Sequence, residues 1–261
     1  MDLQLDGNAA LVTASSSGLG KASAKALARE GADVVINGRD EKRLAEARDE
    51  VAAVAAGEVV AQPADLTDAA AVEALVERTV EAFGGLDHLV TSAGGPPSGA
   101  FLDTDDDDWY AAFDLLVMSV VRLARAAEPH LREGEGTIVN IPSRSVKEAL
   151  DSLVLSNSVR MSVIGLEKTL SQEFAPEIRA NAVLPGPHET ARIRELVEAA
   201  VERGEVDSYE AGLDDWANNP LDRIGDPMEL GDVVAFLSSP ASGFVNGAAI
   251  PVDGGATGSN L

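Results

Sequence analysis

A run of small polar residues and glycines, Thr13-Ala14-Ser15-Ser16-Ser17-Gly18-Leu19-Gly20, follows a short apolar stretch and opens a helical segment that continues through Glu30. Such a turn offers free main-chain amides and the positive end of a helix dipole to a phosphate. A glycine in it lets backbone approach the phosphate, or lets the helix close onto the strand, with no Cβ in the way. The spacing is not G-x-G-x-x-G, because position 23 is Ser, so a purely structural turn is an equal reading of these residues alone. The next apolar run ends Val35-Ile36-Asn37-Gly38-Arg39. NAD-preferring sites carry an acid near this point for the ribose 2′-hydroxyl; here a glycine and an arginine stand there. A guanidinium fork suits a 2′-phosphate, which an acid would repel, and Lys21, Lys25 and Arg43 add positive charge nearby. The reading is NADP(H) in preference to NAD(H), against the alternative of a solvated arginine at a helix start. The acidic run Asp103-Thr104-Asp105-Asp106-Asp107-Asp108 precedes a helical pattern beginning at Trp109 and reads as capping, not as a metal site.

These residues need elements to position them. Asn8–Ala14, Asp33–Asn37, Glu58–Ala61, Asp87–Thr91, Thr137–Ile141, Arg179–Leu184 and Ala248–Val252 read as strands, short and rich in Val and Ile. Between them apolar residues recur at helical spacing, as in Val72, Leu75, Val76, Val80 and Phe83. Repeated βαβ units with right-handed crossovers give an α/β fold, a doubly wound parallel sheet of Rossmann type with helices on both faces. Ligands in such folds bind beyond the carboxyl ends of the strands, so the residues just after each strand are the ones to inspect. No linker, repeat or low-complexity tract divides residues 1–261, which read as one domain.

Composition narrows the partners. The 261 residues hold 44 acids against 20 bases, a net charge of −24, which excludes nucleic-acid binding through phosphate neutralisation. With no cysteine, disulfide frameworks and cysteine-ligated zinc are excluded and a reducing compartment is natural. No apolar run reaches membrane-span length and the first residues carry no basic or apolar leader pattern, so a cytoplasmic protein is expected. A lysine-poor, acidic surface reads as that of a halophilic protein working where salt screens self-repulsion, against the alternative of a merely acidic mesophilic one.

Reading on after each strand gives Asp65-Leu66, then Ser92-Ala93-Gly94, then Ser143, then Pro185-Gly186-Pro187-His188-Glu189-Thr190, and finally Pro251-Val252-Asp253-Gly254-Gly255. In order and spacing this resembles the short-chain dehydrogenase/reductase family over essentially the whole chain, most closely the 3-oxoacyl-carrier-protein reductases. The resemblance implies that Ala14, Ser15, Ser16, Ser17, Gly18, Leu19 and Gly20 hold a pyrophosphate. It places Asp65 and Leu66 near adenine, has Ser92, Ala93 and Gly94 support the cofactor, and sets Pro185, Gly186 and Thr190 near the nicotinamide. The family's catalytic Asn, Ser, Tyr and Lys map onto Leu116, Ser143, Ser156 and Arg160, so only the serine is retained. The only tyrosines are Tyr110 and Tyr209, outside the relevant segment. Serine is far less acidic and shorter than tyrosine, and arginine surrenders no proton, though Arg160 can still hold the nicotinamide ribose. His188 and Lys147 are candidate proton donors, with ordinary loop roles as the alternative; His88 and His130 read as structural. The resulting expectation is an NADP(H)-dependent oxidoreductase acting on a carbonyl or alcohol with a non-standard proton donor. The alternative is an NADP(H)-binding protein with little or no turnover. By the same resemblance, residues 189–219 form a helical lid over a small-molecule substrate, with Val197, Val201, Val206, Tyr209, Leu213 and Trp216 as pocket residues or ordinary inward faces. The long helices at Trp109–Leu131 and Ser152–Phe174 pair in a homodimer or homotetramer.

Overall fold

The computed structural model describes residues 1–259. Seven strands, β1 (Ala9–Val12), β2 (Asp33–Gly38), β3 (Val59–Pro63), β4 (His88–Thr91), β5 (Thr137–Asn140), β6 (Arg179–Pro185) and β7 (Ala249–Val252), fall where the Val- and Ile-rich runs predicted them. All six pairings are parallel, in the order β3-β2-β1-β4-β5-β6-β7. The chain builds outward from β1 in one direction, then returns to its other side with β4. The sheet's crevice therefore opens beyond the ends of β1 and β4.

Strand residues alternate faces, and each face is covered. Ala10, Val12, Val34 and Ile36 point to one side, where they meet α1 (Gly18–Arg29), α2 (Glu41–Ala52) and α9 (Pro227–Ser238). Leu11, Val35, Leu89 and Ile138 point to the other, against α3 (Ala69–Phe83), α5 (Ser119–Glu133) and α6 (Val154–Glu173). A third cluster, in which Ala112, Leu116 and Val117 meet Leu155, Val159 and Val163, joins α4 (Asp106–Phe113) to α6. The remaining helices, α7 (Ala191–Glu202) and α8 (Tyr209–Ala217), lie beyond β6.

Sequence signals set the helix starts. Asp40, Asp68 and Asp226 cap α2, α3 and α9 through their side chains. The acidic run does the same for α4: the Asp105 carboxylate accepts from the Asp108 amide, and Asp108 reaches back to the Asp105 amide. One expected helix is not uniform. Between α4 and α5 the path widens into a π-helical turn at Asp114–Met118, which alters which side chains face the crevice. Arg179 enters β6 and pins the far end of the sheet. It donates to the carbonyls of Leu237, Ser239, Ser242 and Val245 and so holds the chain after α9.

Candidate cofactor and active-site cleft

A single cleft of about 520 Å³ runs along the carboxyl edge of the sheet and collects residues from the ends of β1, β2, β4, β5 and β6. Its first wall is the turn after β1. Gly20 closes α1 onto that turn so tightly that a Cβ there would lie 2.6 Å from the Ala14 carbonyl oxygen. Ala14 itself adopts φ +46°, the left-handed region that favours glycine. It is held there by Asn37, whose side-chain oxygen accepts from the Ala14 amide at 3.3 Å. Ser16, Ser17, Gly18, Leu19 and Gly20 line the cleft. Ser15 does not: it is fully buried, its hydroxyl donating to the Val12 carbonyl at 2.6 Å and its amide to the Asn37 carbonyl at 2.8 Å. Its expected place on the pyrophosphate is therefore corrected to an internal brace of the turn. At the helix start, Ser17 makes no side-chain cap and the first turn of α1 has no acid. The positive end of the dipole is left to the cleft.

At the tip of β2, Arg39 and Arg43 line the cleft, and neither side chain forms an ion pair among the described residues. Lys21 and Lys25 share one carboxylate: both are bound to Glu50 at 2.9 Å, which offsets one of their two positive charges. Asp65 and Leu66 line the same cleft, and the charge of Arg39 acts on the Asp65 carboxylate. The Asp65 carboxylate accepts from the Thr67 amide and hydroxyl, and these bonds hold its pKa below the ordinary value.

The second half of the cleft lies beyond β4, β5 and β6. Thr13 and Ser92 are bonded reciprocally, the Thr13 hydroxyl donating to the Ser92 carbonyl and the Ser92 amide to the Thr13 hydroxyl, which ties the ends of β1 and β4 together. Ser92, Ala93 and Gly94 line the cleft there. Ser143 follows β5 and caps a 3₁₀ turn at Arg144–Val146, its Oγ accepting from the Ser145 amide at 3.1 Å. Arg144, in that turn, lines the cleft; Lys147, which follows it, is not among the lining residues. Ser156 and Arg160 project from one face of α6, 7% and 8% exposed. The Ser156 and Ser145 hydroxyls are 3.2 Å apart. Arg160 donates from Nη1 to the Pro142 carbonyl at 2.8 Å, while its Nε–H is buried without a partner. Burial, with the nearby charge of Arg192, pulls its pKa down to about 10, which leaves it cationic.

Pro185, Gly186, His188 and Thr190 complete the wall after β6. His188 is buried, and because a carbonyl only accepts, its Nδ1 must donate to the Gly186 carbonyl at 3.1 Å. Burial also holds its pKa below the ordinary histidine value, which favours the neutral ring with the proton on Nδ1. Where Leu116 was aligned with the family's asparagine, the π-helical turn rotates it into the α4–α6 cluster; Leu115 faces the cleft instead. No tyrosine lines the cleft, Tyr110 being 73% exposed on α4. Of the residues weighed as lid lining, only Trp216 reaches the cleft, accompanied by Ile193 and Leu196. Val197 packs inside the α7–α8 pair against Gly212. Sequence reading missed Asn37, Arg144 and Arg192. The first two adjoin residues singled out, but only pairing and turn geometry reveal their direction.

The residues present fit a dinucleotide. Free amides at the start of α1, unpaired arginines at the β2 tip and an orphaned buried guanidinium N–H at the other end match its phosphates and a ribose. A family model described as enoyl-(acyl carrier protein) reductase matches residues 13–257. The chain belongs to the short-chain dehydrogenase/reductase family of oxidoreductases. It is 30% identical to a 3-oxoacyl-[acyl-carrier-protein] reductase of Thermotoga maritima, covering 97% of this chain and 99% of that one. L-sorbose reductase from Gluconobacter frateurii, solved with NADPH and L-sorbose, superposes with TM-score 0.92 at 30% identity, over 99% of this chain and 100% of that chain. An NADPH-bound short chain oxidoreductase from Pseudomonas aeruginosa PAO1, described as containing an atypical catalytic center, superposes with TM-score 0.88 at 30% identity, over 97% and 98%.

Proposed function

We propose that the chain is an NADP(H)-dependent oxidoreductase acting on a carbonyl or alcohol of 3-oxoacyl type, with a proton route that uses no tyrosine. The observation that carries this reading is the pair Arg39 and Arg43, free of ion pairs at the β2 tip and opening onto the same cleft as Ser143. The neighbouring structures with NADPH support it. When bound, the nicotinamide supplies or takes the hydride. Arg39 and Arg43 bind the 2′-phosphate, the amides from Ser16 to Leu19 the pyrophosphate, and Ser92, Ala93, Gly94, Pro185, Gly186 and Thr190 the nicotinamide half. The Arg160 Nε–H takes a ribose hydroxyl. Ser143 donates a hydrogen bond to the substrate oxygen. Ser156, with its hydroxyl partner Ser145 and a water, passes the proton, since neutral His188 has no proton on its free nitrogen and Lys147 stands elsewhere. Helices α7 and α8, within residues 189–219, serve as the substrate lid.

The absence of a tyrosine from the cleft favours a second reading, an NADP(H)-binding protein with little or no turnover. One assay separates the two. NADPH and NADH binding is followed by nicotinamide fluorescence, and oxidation of NADPH is followed with a panel of 3-oxoacyl and diketone compounds. The enzyme reading expects oxidation with at least one of them and tighter binding of NADPH than of NADH. It also expects Arg39→Met to weaken NADPH about tenfold or more, as loss of a charge-assisted phosphate contact should, while leaving NADH unchanged. Binding without oxidation across the panel establishes the second reading; equal affinity for both cofactors removes the phosphate preference.

We further propose a cytoplasmic homodimer or homotetramer in a high-salt setting. Exposed Phe101, Tyr110 and Phe113 around α4, with Met161 on α6, form the apolar surface that pairing would cover.

A further inference from the structure

The cleft holds more positive charge than a dinucleotide uses. Five arginines line it against two carboxylates, Asp65 and Glu195, in a chain where acids outnumber bases 44 to 20. Arg39 and Arg43 lie at the adenosine end, and the pyrophosphate is served by main-chain amides. At the other end, beside Ser143 and Ser156, Arg160 serves the ribose and Arg144 is paired with Glu148 at 3.7 Å, which leaves Arg192.

Arg192 is placed with some care. It stands in the first turn of α7, its Nη2 donating to the Pro96 carbonyl at 2.7 Å across the cleft. The Glu195 carboxylate touches only its Nη1, loosely at 3.6 Å, and that glutamate is 63% exposed. The rest of the fork lies over Gly95, where a Cβ would fall 2.7 Å from Nε. The bare backbone at Gly95 is what admits a guanidinium here. Arg160, 8% exposed with an unpartnered Nε–H, is close enough to feel the charge of Arg192. Bringing a buried cation up to a second cation is unfavourable unless an anion joins them. A planar fork answers a carboxylate with two parallel hydrogen bonds.

We propose that Arg192 is a specificity-determining residue that binds a carboxylate of the substrate, so that the carbonyl compound reduced, or the alcohol oxidised, is the anion of a small oxo or hydroxy acid. Arg160 adds to the field that draws it in. The inference rests on the oxidoreductase reading for the reaction, but not for the binding.

The test pairs 2-oxobutanoate and 3-oxobutanoate with their methyl esters, at constant ionic strength because the attraction is screened by salt. The expected result is a kcat/KM at least tenfold higher for one of the acids than for its ester. Arg192→Met should abolish that ratio through KM, leaving the ester rate and the NADPH affinity within about twofold, and Arg192→Lys should restore part of it. Gly95→Ala keeps the charge but displaces the flexible fork, and should lower the ratio while the protein still folds. A wild-type preference for the esters, or none, overturns the proposal. So does an Arg192→Met variant that loses NADPH affinity in proportion, which would assign Arg192 to the cofactor. Calorimetric titration of the NADP⁺ complex with 2- and 3-hydroxybutanoate and their methyl esters decides the matter if no compound is turned over. Tighter binding of an acid, lost in Arg192→Met, supports the subsite although the reaction reading has failed. Heat with neither acid overturns it.

Discussion

Ala14 occupies the left-handed region at φ +46°, where an L-residue is less stable than glycine by about 1–2 kcal/mol. Two bonds through Asn37 hold the turn in that form, one to the Ala14 amide and one to the Ser15 amide. Ala14→Gly is expected to relieve the strain. Set against the greater backbone freedom glycine loses on folding, the net gain should be about 0.5–1 kcal/mol in a denaturant melt, with NADPH affinity preserved. The opposite sign would mean that the Ala14 methyl packs more favourably than its backbone geometry suggests. The same scale decides which side chains share the cleft. Ser143 lies beyond β5 and Ser156 projects from α6, and the 3₁₀ turn between them decides that Arg144, not Lys147, shares their cleft.

Helix α6 shows how an element serves two masters. Ser156 and Arg160 lie on its cleft face, while further along it Glu167 is 1% exposed, with one carboxylate oxygen lacking any hydrogen bond. Burial raises the Glu167 pKa from 4.5 to about 7, with Lys168 offsetting only part of the shift. Between those two values the folded chain holds the proton more often than the unfolded chain does, so stability falls as pH rises through the window. Glu167→Gln should therefore match the wild type near pH 4.5. It should be more stable by about 1–3 kcal/mol at pH 8, read from chemical melts at the two pH values. Equal stabilities at pH 8 would show that the carboxylate finds a partner. The π-helical turn before α5 is the second element-scale device, since it decides whether Leu115 or Leu116 meets the ligand.

Across the whole molecule the net charge of −24 is distributed over a surface of 12010 Å². The ion pairs that relieve it are mostly exposed, such as Arg29–Asp232 and Arg223–Glu229, and each is worth little. Repulsion among the excess carboxylates is screened as the Debye length shrinks from about 8 Å at physiological salt to about 3 Å at 1 M. The melting temperature is expected to rise by several degrees between roughly 0.1 and 2 M KCl. A flat or falling curve would sink the high-salt reading. The cleft is the exception to this charge pattern, being lined by five arginines and two carboxylates.

The sequence by itself determined the seven strands, their parallel order of build and the glycine turn before α1, because these depend on local periodicity and on residues adjacent in the chain. Ser143, Arg39 and His188 follow strand ends and so were legible as cleft residues, whereas Ser156 and Arg160 came to the site only through the family resemblance. Only the tertiary structure decided the rest. Lys21 and Lys25 share Glu50, Arg192 reaches Pro96, and Ser15 turns inward to Asn37, all through partners distant in the chain. Which way a side chain points, and which charge it meets, is set by packing between elements, and no spacing along the chain encodes that directly.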